Sequence, residues 1–136
     1  MEKRMKVLID TVIEDASKYF SKENINEFIH EIDKYKSQIY FFQVIQRNDK
    51  PVFEFGADLG YSLIDISYDG DTFTSALFPY RSIDSIRFIK EKNFSRLQIS
   101  VLIDQNSFYY DVAKESKKKQ IEDYWHHIVT NLSGGM

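Results

Sequence analysis

The three histidines are the side chains of this sequence best suited to metal binding or proton transfer. His126 and His127 are adjacent, and His30 lies far from them in the chain. Adjacent residues of a helix point about 100° apart, so this pair cannot chelate one metal ion as two residues at i and i+4 can. The absence of cysteine excludes disulfides, thiolate zinc sites and cysteine nucleophiles. We therefore predict no metal site and no cofactor.

Four aspartates, Asp58, Asp65, Asp69 and Asp71, lie close together in the sequence. Paired carboxylates can hold a metal or transfer protons. Asp69 and Asp71 flank Gly70, however, and Asp is favoured in turns because its carboxylate accepts backbone hydrogen bonds. Asp65 falls on the polar side of an alternating segment. Because phosphate-loop, G-x-S-x-G and H-E-x-x-H motifs are also missing from the sequence, we predict no catalytic residues.

A cluster of lysines is the one charged feature that suggests a ligand. Lys114, Lys117, Lys118 and Lys119 crowd the start of the last predicted helix. A solvated lysine face, whose charge is partly offset by Glu115, is the first interpretation. Positive charge at a helix N-terminus opposes the helix dipole, however, so a patch for an anion or an acidic partner is the functional alternative.

Aromatic residues are unusually frequent, with 11 Phe and 9 Tyr in 136 residues. They could line a ligand pocket, stack on bases or fill a core. Residues 39–42 are all apolar or aromatic, so a strand at this position is apolar on both faces, which indicates burial on both sides. We therefore interpret these aromatics as core residues, and a binding groove or dimer surface is the alternative. The residues concerned are Tyr40, Phe41, Phe42, Phe53, Phe55, Tyr109 and Tyr110.

Length and charge restrict the class of protein. A chain of 136 residues corresponds to one domain. The net charge of −3 argues against general binding to nucleic acid and against stable association with an anionic membrane. Asp10 interrupts the first apolar segment, and no segment reaches the length of about 18 apolar residues that spans a bilayer. We predict a cytoplasmic location.

The first 36 residues carry two apolar stripes with helical spacing. One stripe runs through residues 5–20 and the other through residues 22–36. Ser21 is a suitable N-cap between them. We predict two helices, with one long helix as the alternative. Both stripes need a partner, so we expect this segment either to cover the sheet or to pair with a second copy of the chain.

After residue 37 the apolar period changes from 3.6 to 2, which is typical of strands. Asp69 and Gly70 form the strongest hairpin signal. The pattern predicts seven strands at residues 39–46, 52–56, 61–68, 72–78, 83–89, 96–103 and 108–112. Since helices do not alternate with these strands, we expect an antiparallel meander that forms a partly open barrel or two packed sheets.

The last segment returns to helical spacing. Ile121, Trp125, Ile128 and Leu132 are spaced by four, three and four residues, which predicts a helix over residues 115–132 with Trp125 as its main anchor on the sheet. The predicted fold class is therefore α+β. We expect a single domain over residues 1–136, in which residues 38–132 form the sheet and the capping helix.

Seven meandering strands and one C-terminal helix resemble the pleckstrin-homology-like superfold. The resemblance covers residues 38–132. Its most suggestive segment is Leu77–Ile86, because small bacterial domains of this class carry a similar Pro-Tyr-x-x-Ile-x-x-Ile step. The composition also resembles that of small uncharacterised proteins of low-GC Gram-positive bacteria and their phages.

The resemblance implies a binding protein. Members of the superfold bind lipids, peptides or proteins, and phosphoinositide binding uses a basic cluster in the first hairpin. Here that hairpin offers only Arg47 and Lys50, with Asp49 between them. We therefore predict a non-catalytic module that binds another protein or peptide at an exposed strand edge. The alternative is a small-molecule or lipid-binding domain with an aromatic-lined cavity, and a homodimer remains open beside a monomer.

Overall fold

The computed structural model describes residues 10, 13–35, 37–101, 107–113 and 115–134. The chain divides into two compact units. The first unit comprises Met1–Leu59 and Ile64–Leu77, and the second comprises Gly60–Leu63 and Phe78–Met136. Of the first predicted stripe, residues 10 and 13–20 are described, and residues 13–16 are helical. The rest of that stripe lies outside the described residues.

Helix α1 spans Lys22–Asp33. It begins where the sequence predicts, because the Ser21 side chain accepts a hydrogen bond from the backbone N–H of Asn24 at 3.2 Å. Its apolar stripe buries Ile25, Phe28 and Ile32. The N-cap and the stripe of the second predicted helix are therefore confirmed, and the helix ends three residues earlier than expected.

Most of a four-stranded sheet in the order β1-β2-β3-β4 belongs to the first unit, and only the start of β3 and the end of β4 fall in the second. The strands of this sheet are β1 (Ile39–Arg47), β2 (Lys50–Asp58), β3 (Ser62–Tyr68) and β4 (Phe73–Pro79). The β1–β2 hairpin is tighter than the predicted five-residue turn, because Arg47 pairs with Lys50. The two residues between them, Asn48 and Asp49, both have positive φ, which Asn and Asp adopt more readily than other non-glycine residues.

One face of this sheet packs against α1. The Phe28 ring stacks on Phe53 at a centroid distance of 3.9 Å and meets the edge of Phe55 at 5.6 Å. Phe42 and Val44 of β1 stand opposite Phe55 and Phe53 and extend the same apolar surface. The second predicted helix therefore contacts the aromatic strands with its apolar stripe.

The opposite face of the same strands is also buried. Phe41 lies on that face with no exposed surface, while its neighbour Phe42 is buried on the helix side. Gln43 and Glu54 are a directly paired, buried couple between the two strands. The prediction that the first strand is buried on both sides is confirmed.

The second unit contains a three-stranded sheet in the order β5-β6-β7. The strands are β5 (Ile83–Lys90), β6 (Ser95–Val101) and β7 (Ser107–Val112), and a 3-10 turn, Tyr80–Ser82, precedes β5. Leu97 and Ile99 of β6 are buried, as their alternation predicts. They pair with Phe88 and Ile86 of β5.

Helix α2 spans Glu115–Gly134 and closes the second unit. Its fully buried apolar side chains are Ile121, Tyr124 and Ile128. Trp125 is only half-buried and stacks on Phe88 at 5.9 Å. The prediction that Trp125 is the main anchor is therefore wrong. The centre of the buried stripe lies one residue earlier, because the spacings 121-124-128 and 121-125-128 fit a helix equally well.

The predicted α+β class, strand number and antiparallel pairing are confirmed in the described part of the chain. The strands form separate sheets of four and three strands, and the described residues contain no closed barrel. No described helix combines the length and the apolar character that a membrane span requires.

The buried stripe of α2, with Tyr124 rather than Trp125 at its centre, can be tested by mutation. Tyr124→Ala should lower the free energy of unfolding by about 3–5 kcal/mol, because it removes a fully buried aromatic ring. Trp125→Ala should lower the free energy of unfolding clearly less than Tyr124→Ala does. His126→Ala, at an exposed position on the same helix, should change the free energy of unfolding by less than about 0.5 kcal/mol. Urea unfolding measures all three. A larger loss for Trp125→Ala than for Tyr124→Ala would contradict the assignment.

Candidate functional site

The four-stranded sheet has two edge strands, β1 and β4, and the side chains of β4 are the more exposed of the two. Within the described residues, β4 has one strand neighbour, β3. Phe73 and Leu77 of β4 keep 38% and 55% of their surface exposed. Thr74 and Ser75 between them are exposed as well. A strand with an exposed backbone and exposed apolar side chains is able to receive another strand.

The exposed apolar residues of β4 lie on the face of the sheet that α1 covers elsewhere. The Phe73 ring stacks on Tyr68 of β3 at 4.0 Å, and Tyr68 belongs to the core cluster beneath α1. Alternation along the strand places Leu77 on the same face as Phe73. Helix α1 therefore buries the aromatic residues of β1, β2 and β3, while Phe73 and Leu77 remain accessible.

The hydroxyl of Tyr68 links α1 to the turn next to this edge. It donates a hydrogen bond to Glu27 Oε2 at 2.5 Å and lies 2.9 Å from the carbonyl oxygen of Gly70. Burial of the ring, followed by the hydrogen bond to Glu27, raises the pKa of Tyr68 to about 12. Tyr68 is therefore neutral at physiological pH and holds the Glu27 carboxylate next to the β3–β4 turn.

The β3–β4 turn carries two more carboxylates. Asp69 Oδ1 accepts hydrogen bonds from the backbone N–H groups of Asp71 at 2.9 Å and Thr72 at 2.8 Å. These bonds hold the pKa of Asp69 below its usual value. Gly70 has a φ of 101°, a conformation that glycine accepts readily. The interpretation of Asp69 as a turn-forming residue is confirmed.

Asp58 and Asp65 lie in a different environment from the turn aspartates. Both are buried, although Asp65 was expected on the polar side of its strand. The alternation of polar and apolar residues along β3 does not reveal this burial, since both faces of the strand are covered.

Sequence reasoning missed a buried polar cluster on the face opposite α1. Glu54 of β2 is 1% exposed. Its carboxylate accepts a hydrogen bond from Gln43 Nε2 at 3.0 Å and pairs with Arg47 at 3.3 Å. A polar residue between Phe53 and Phe55 is the available signal, but alternation alone predicts a solvated position there. The cluster holds the β1–β2 pair together by cross-strand contacts.

The described lysines of the predicted patch differ in burial and in their hydrogen-bond and ion-pair partners. Lys114 lies outside the described residues, and Lys117 is only 2% exposed. Lys118 Nζ donates to the carbonyl oxygen of Lys92 at 3.2 Å and pairs with Glu115 at 3.1 Å. Lys119 pairs with Asp123 at 3.6 Å. Because carboxylates of the same helix accompany Lys118 and Lys119, an anion there would compete with internal ion pairs.

Lys118 and Lys119 border a polar cavity of about 410 Å³ in the second unit. Its lining mixes both signs of charge, and Lys90 pairs with Glu122 across it at 3.0 Å. The prediction that the lysine cluster binds an anion or an acidic partner stays a prediction.

His30 belongs to the first unit, and His126 and His127 belong to the second. His30 and His126 are exposed, and His127 Nε2 lies 3.2 Å from the Asn131 side-chain amide. The described part of the chain contains no group of three His, Cys, Asp or Glu residues that could hold a metal ion.

Most of the aromatic residues singled out in the sequence are core residues. Phe41, Phe42, Phe53, Phe55 and Tyr110 are buried. Tyr40 is half-buried and Tyr109 is exposed. The interpretation of this set as core is therefore confirmed for the five buried rings.

The exposed ring of Tyr109 belongs to an ordered surface group. Arg96 lies over Tyr109 at 4.2 Å from the ring centroid and forms two hydrogen bonds with Asp111, of 2.6 and 2.9 Å. The hydrogen bond to Asp111 raises the pKa of Arg96. The guanidinium is thus already paired with a carboxylate and a ring.

An apolar cavity of about 430 Å³ lies in the first unit. It is bordered by the helical turn of residues 13–16 and by α1, and its apolar lining is Ile13, Phe20, Ile25 and Ile29. It contains one aromatic ring, so it differs from the aromatic-lined cavity between sheet and helices that the alternative prediction described. Small-molecule binding stays a prediction.

Comparison with known proteins gave no match: no family model, no curated protein and no solved structure is detectably similar to this chain.

The environment of Tyr68 predicts a pH dependence of stability. The folded chain raises the pKa of this phenol from 10.0 to about 12, so the neutral form is the one that folding stabilises. This stabilisation is complete below pH 10 and is lost as the pH rises toward 12. Tyr68→Phe should cost about 1–3 kcal/mol at pH 8 through loss of the bond to a charged group, and less at pH 11.

Urea unfolding at both pH values measures the difference, and Tyr19→Phe, at an exposed position, is the matched control. A cost of Tyr68→Phe that is the same at pH 8 and pH 11 would show that the phenol does not titrate as described.

Proposed function

We propose that this protein is a non-catalytic module that binds an extended segment of another protein along the free edge of β4. One observation carries the proposal, namely that β4 is an edge strand with exposed apolar side chains on the helix-covered face. A segment added as a fifth strand would gain main-chain hydrogen bonds for affinity and side-chain contacts for selectivity.

The composition of β4 supports the choice of this edge. Edge strands in natural proteins are usually protected by charged side chains, above all lysine. The sequence of β4, FTSALFP, contains no charged residue, and its proline stands at the end of the strand. By contrast, β5, which is one of the two edge strands of the other sheet, carries Asp84, Arg87 and Lys90. An unprotected edge is a hazard unless a partner uses it.

The hydrogen-bond register supplies the backbone groups that a partner needs. The N–H of Asp69 bonds to the carbonyl oxygen of Thr72 at 3.3 Å across the turn. Hydrogen-bonded and non-hydrogen-bonded pairs alternate along an antiparallel ladder. Because Asp69 and Thr72 form a hydrogen-bonded pair, the next pair, Tyr68 and Phe73, is a non-hydrogen-bonded one. By this alternation the N–H and C=O groups of Phe73, Ser75 and Leu77 point away from β3.

We also propose that the chain is a member of the pleckstrin-homology-like superfold with an added N-terminal helical segment. The order of four strands, three strands and one C-terminal helix supports this assignment. Since fold does not fix function, the assignment makes a binding role plausible and leaves the surface to be argued from β4 itself.

Selection of displayed peptides against the full chain tests the proposed function. A library of random twelve-residue peptides should yield binders with alternating apolar residues. Leu77→Lys should reduce their binding at least tenfold, because a lysine on an edge strand opposes strand addition. Tyr61→Lys is the matched control, since Tyr61 is 74% exposed and lies outside β4.

Selected peptides that bind Leu77→Lys and the unmodified chain equally would place the binding surface elsewhere. Failure to enrich any peptide would contradict the proposed function itself.

A further inference from the structure

The surroundings of Phe73 define the chemistry of a segment that would bind at β4. One face of the Phe73 ring stacks on Tyr68 at 4.0 Å, and 38% of the residue is exposed. The ring therefore packs against its neighbour on one side and still offers surface to a partner. An aromatic face attracts a cation, and a guanidinium stacks on it more readily than other charged groups.

Three carboxylates lie at the same end of β4. Glu27 is hydrogen-bonded to Tyr68, the residue on which Phe73 stacks. Asp69 and Asp71 belong to the turn that leads into the strand, and both act electrostatically on the Tyr68 phenol. This end of the edge is therefore negatively charged.

Glu27 and Asp69 already accept internal hydrogen bonds, and Asp71 adds a third carboxylate beside them. Within the described part of the chain, none of the three has a Lys or Arg nitrogen within 4.0 Å. The positive charge of Lys50 lowers the pKa of Asp69, but by less than the hydrogen bonds from the two backbone N–H groups do. Glu27 and Asp71 are exposed.

We propose that the occupant of the β4 edge is a basic extended segment of another protein, in which an arginine or lysine stands at one end of a run of alternating apolar residues and lies against Phe73. The cation stacks on the open face of the ring beside Glu27, Asp69 and Asp71, while the apolar residues pack next to Leu77. This inference rests on the proposed function, because it names the partner of the same edge.

Sequencing of the selected peptides separates this inference from the proposed function. Peptides whose binding depends on Leu77 should be enriched in Arg and Lys relative to the unselected library. Enrichment without a bias in charge would overturn the basic-segment inference and leave the β4 edge as the binding surface. Absence of any peptide that depends on Leu77 would overturn both.

A double-mutant cycle between the peptide and Phe73 then tests whether the arginine of the peptide lies on the Phe73 ring. For a selected peptide, replacement of its arginine by glutamine should weaken binding several-fold. Phe73→Leu should weaken binding of the arginine peptide to a similar extent and have little effect on the glutamine peptide. Equal effects of Phe73→Leu on the two peptides would overturn the placement of the cation on the ring.

The carboxylates are tested by Asp71→Asn and Glu27→Gln, with Glu91→Gln as the control in the second unit. Each of the first two should weaken binding of the arginine peptide by about two- to fivefold, as expected for exposed ion pairs, and more strongly at low salt. Asp71 makes no side-chain bond to Tyr68, so its variant remains informative if Glu27→Gln lowers stability. Unchanged binding by both variants would overturn the charge complementarity.

Discussion

The stacking of Phe28 on Phe53 is the contact on which the architecture of the first unit depends. It joins α1 to the middle of the four-stranded sheet at a ring separation of 3.9 Å. A helix of twelve residues is marginal in isolation, and a sheet with an uncovered aromatic face is prone to association. Each element therefore supplies the surface that the other must bury.

The same contact determines which part of the sheet remains accessible. With Phe28 centred on β2, α1 reaches Tyr68 of β3 through the side chains of Asn24 and Glu27. Phe73 of β4 then stacks on the outer side of Tyr68. The position of the helix thus leaves one uncharged strand with an open backbone edge, and it brings Glu27 to the end of that strand where the turn carries Asp69 and Asp71. Fold and proposed binding surface have a common physical cause.

Local patterns in the sequence were sufficient to predict most of the fold. The change of period after residue 37, the Ser21 cap and the Asp69-Gly70 turn each express a local preference of the backbone. The choice between Tyr124 and Trp125 as anchor could not be predicted, since both lie on the apolar side of α2. Glu54 and Lys117 are buried because of contacts made by distant parts of the chain, which periodicity does not encode. Exposure of β4 likewise depends on strand order and on where α1 packs.

Amide hydrogen exchange on the full chain tests most directly the central claim that α1 covers β1–β3 and leaves the outer edge of β4 open. Amides of α1 and β2, and those of β1 that bond to β2, should be protected together, because these elements share the core around Phe53. In β4, the outward amides of Phe73, Ser75 and Leu77 should exchange rapidly, and those of Thr74 and Ala76 slowly. Uniform protection along β4, equal to that of β2, would show that this edge is already occupied in the free protein and would contradict the account.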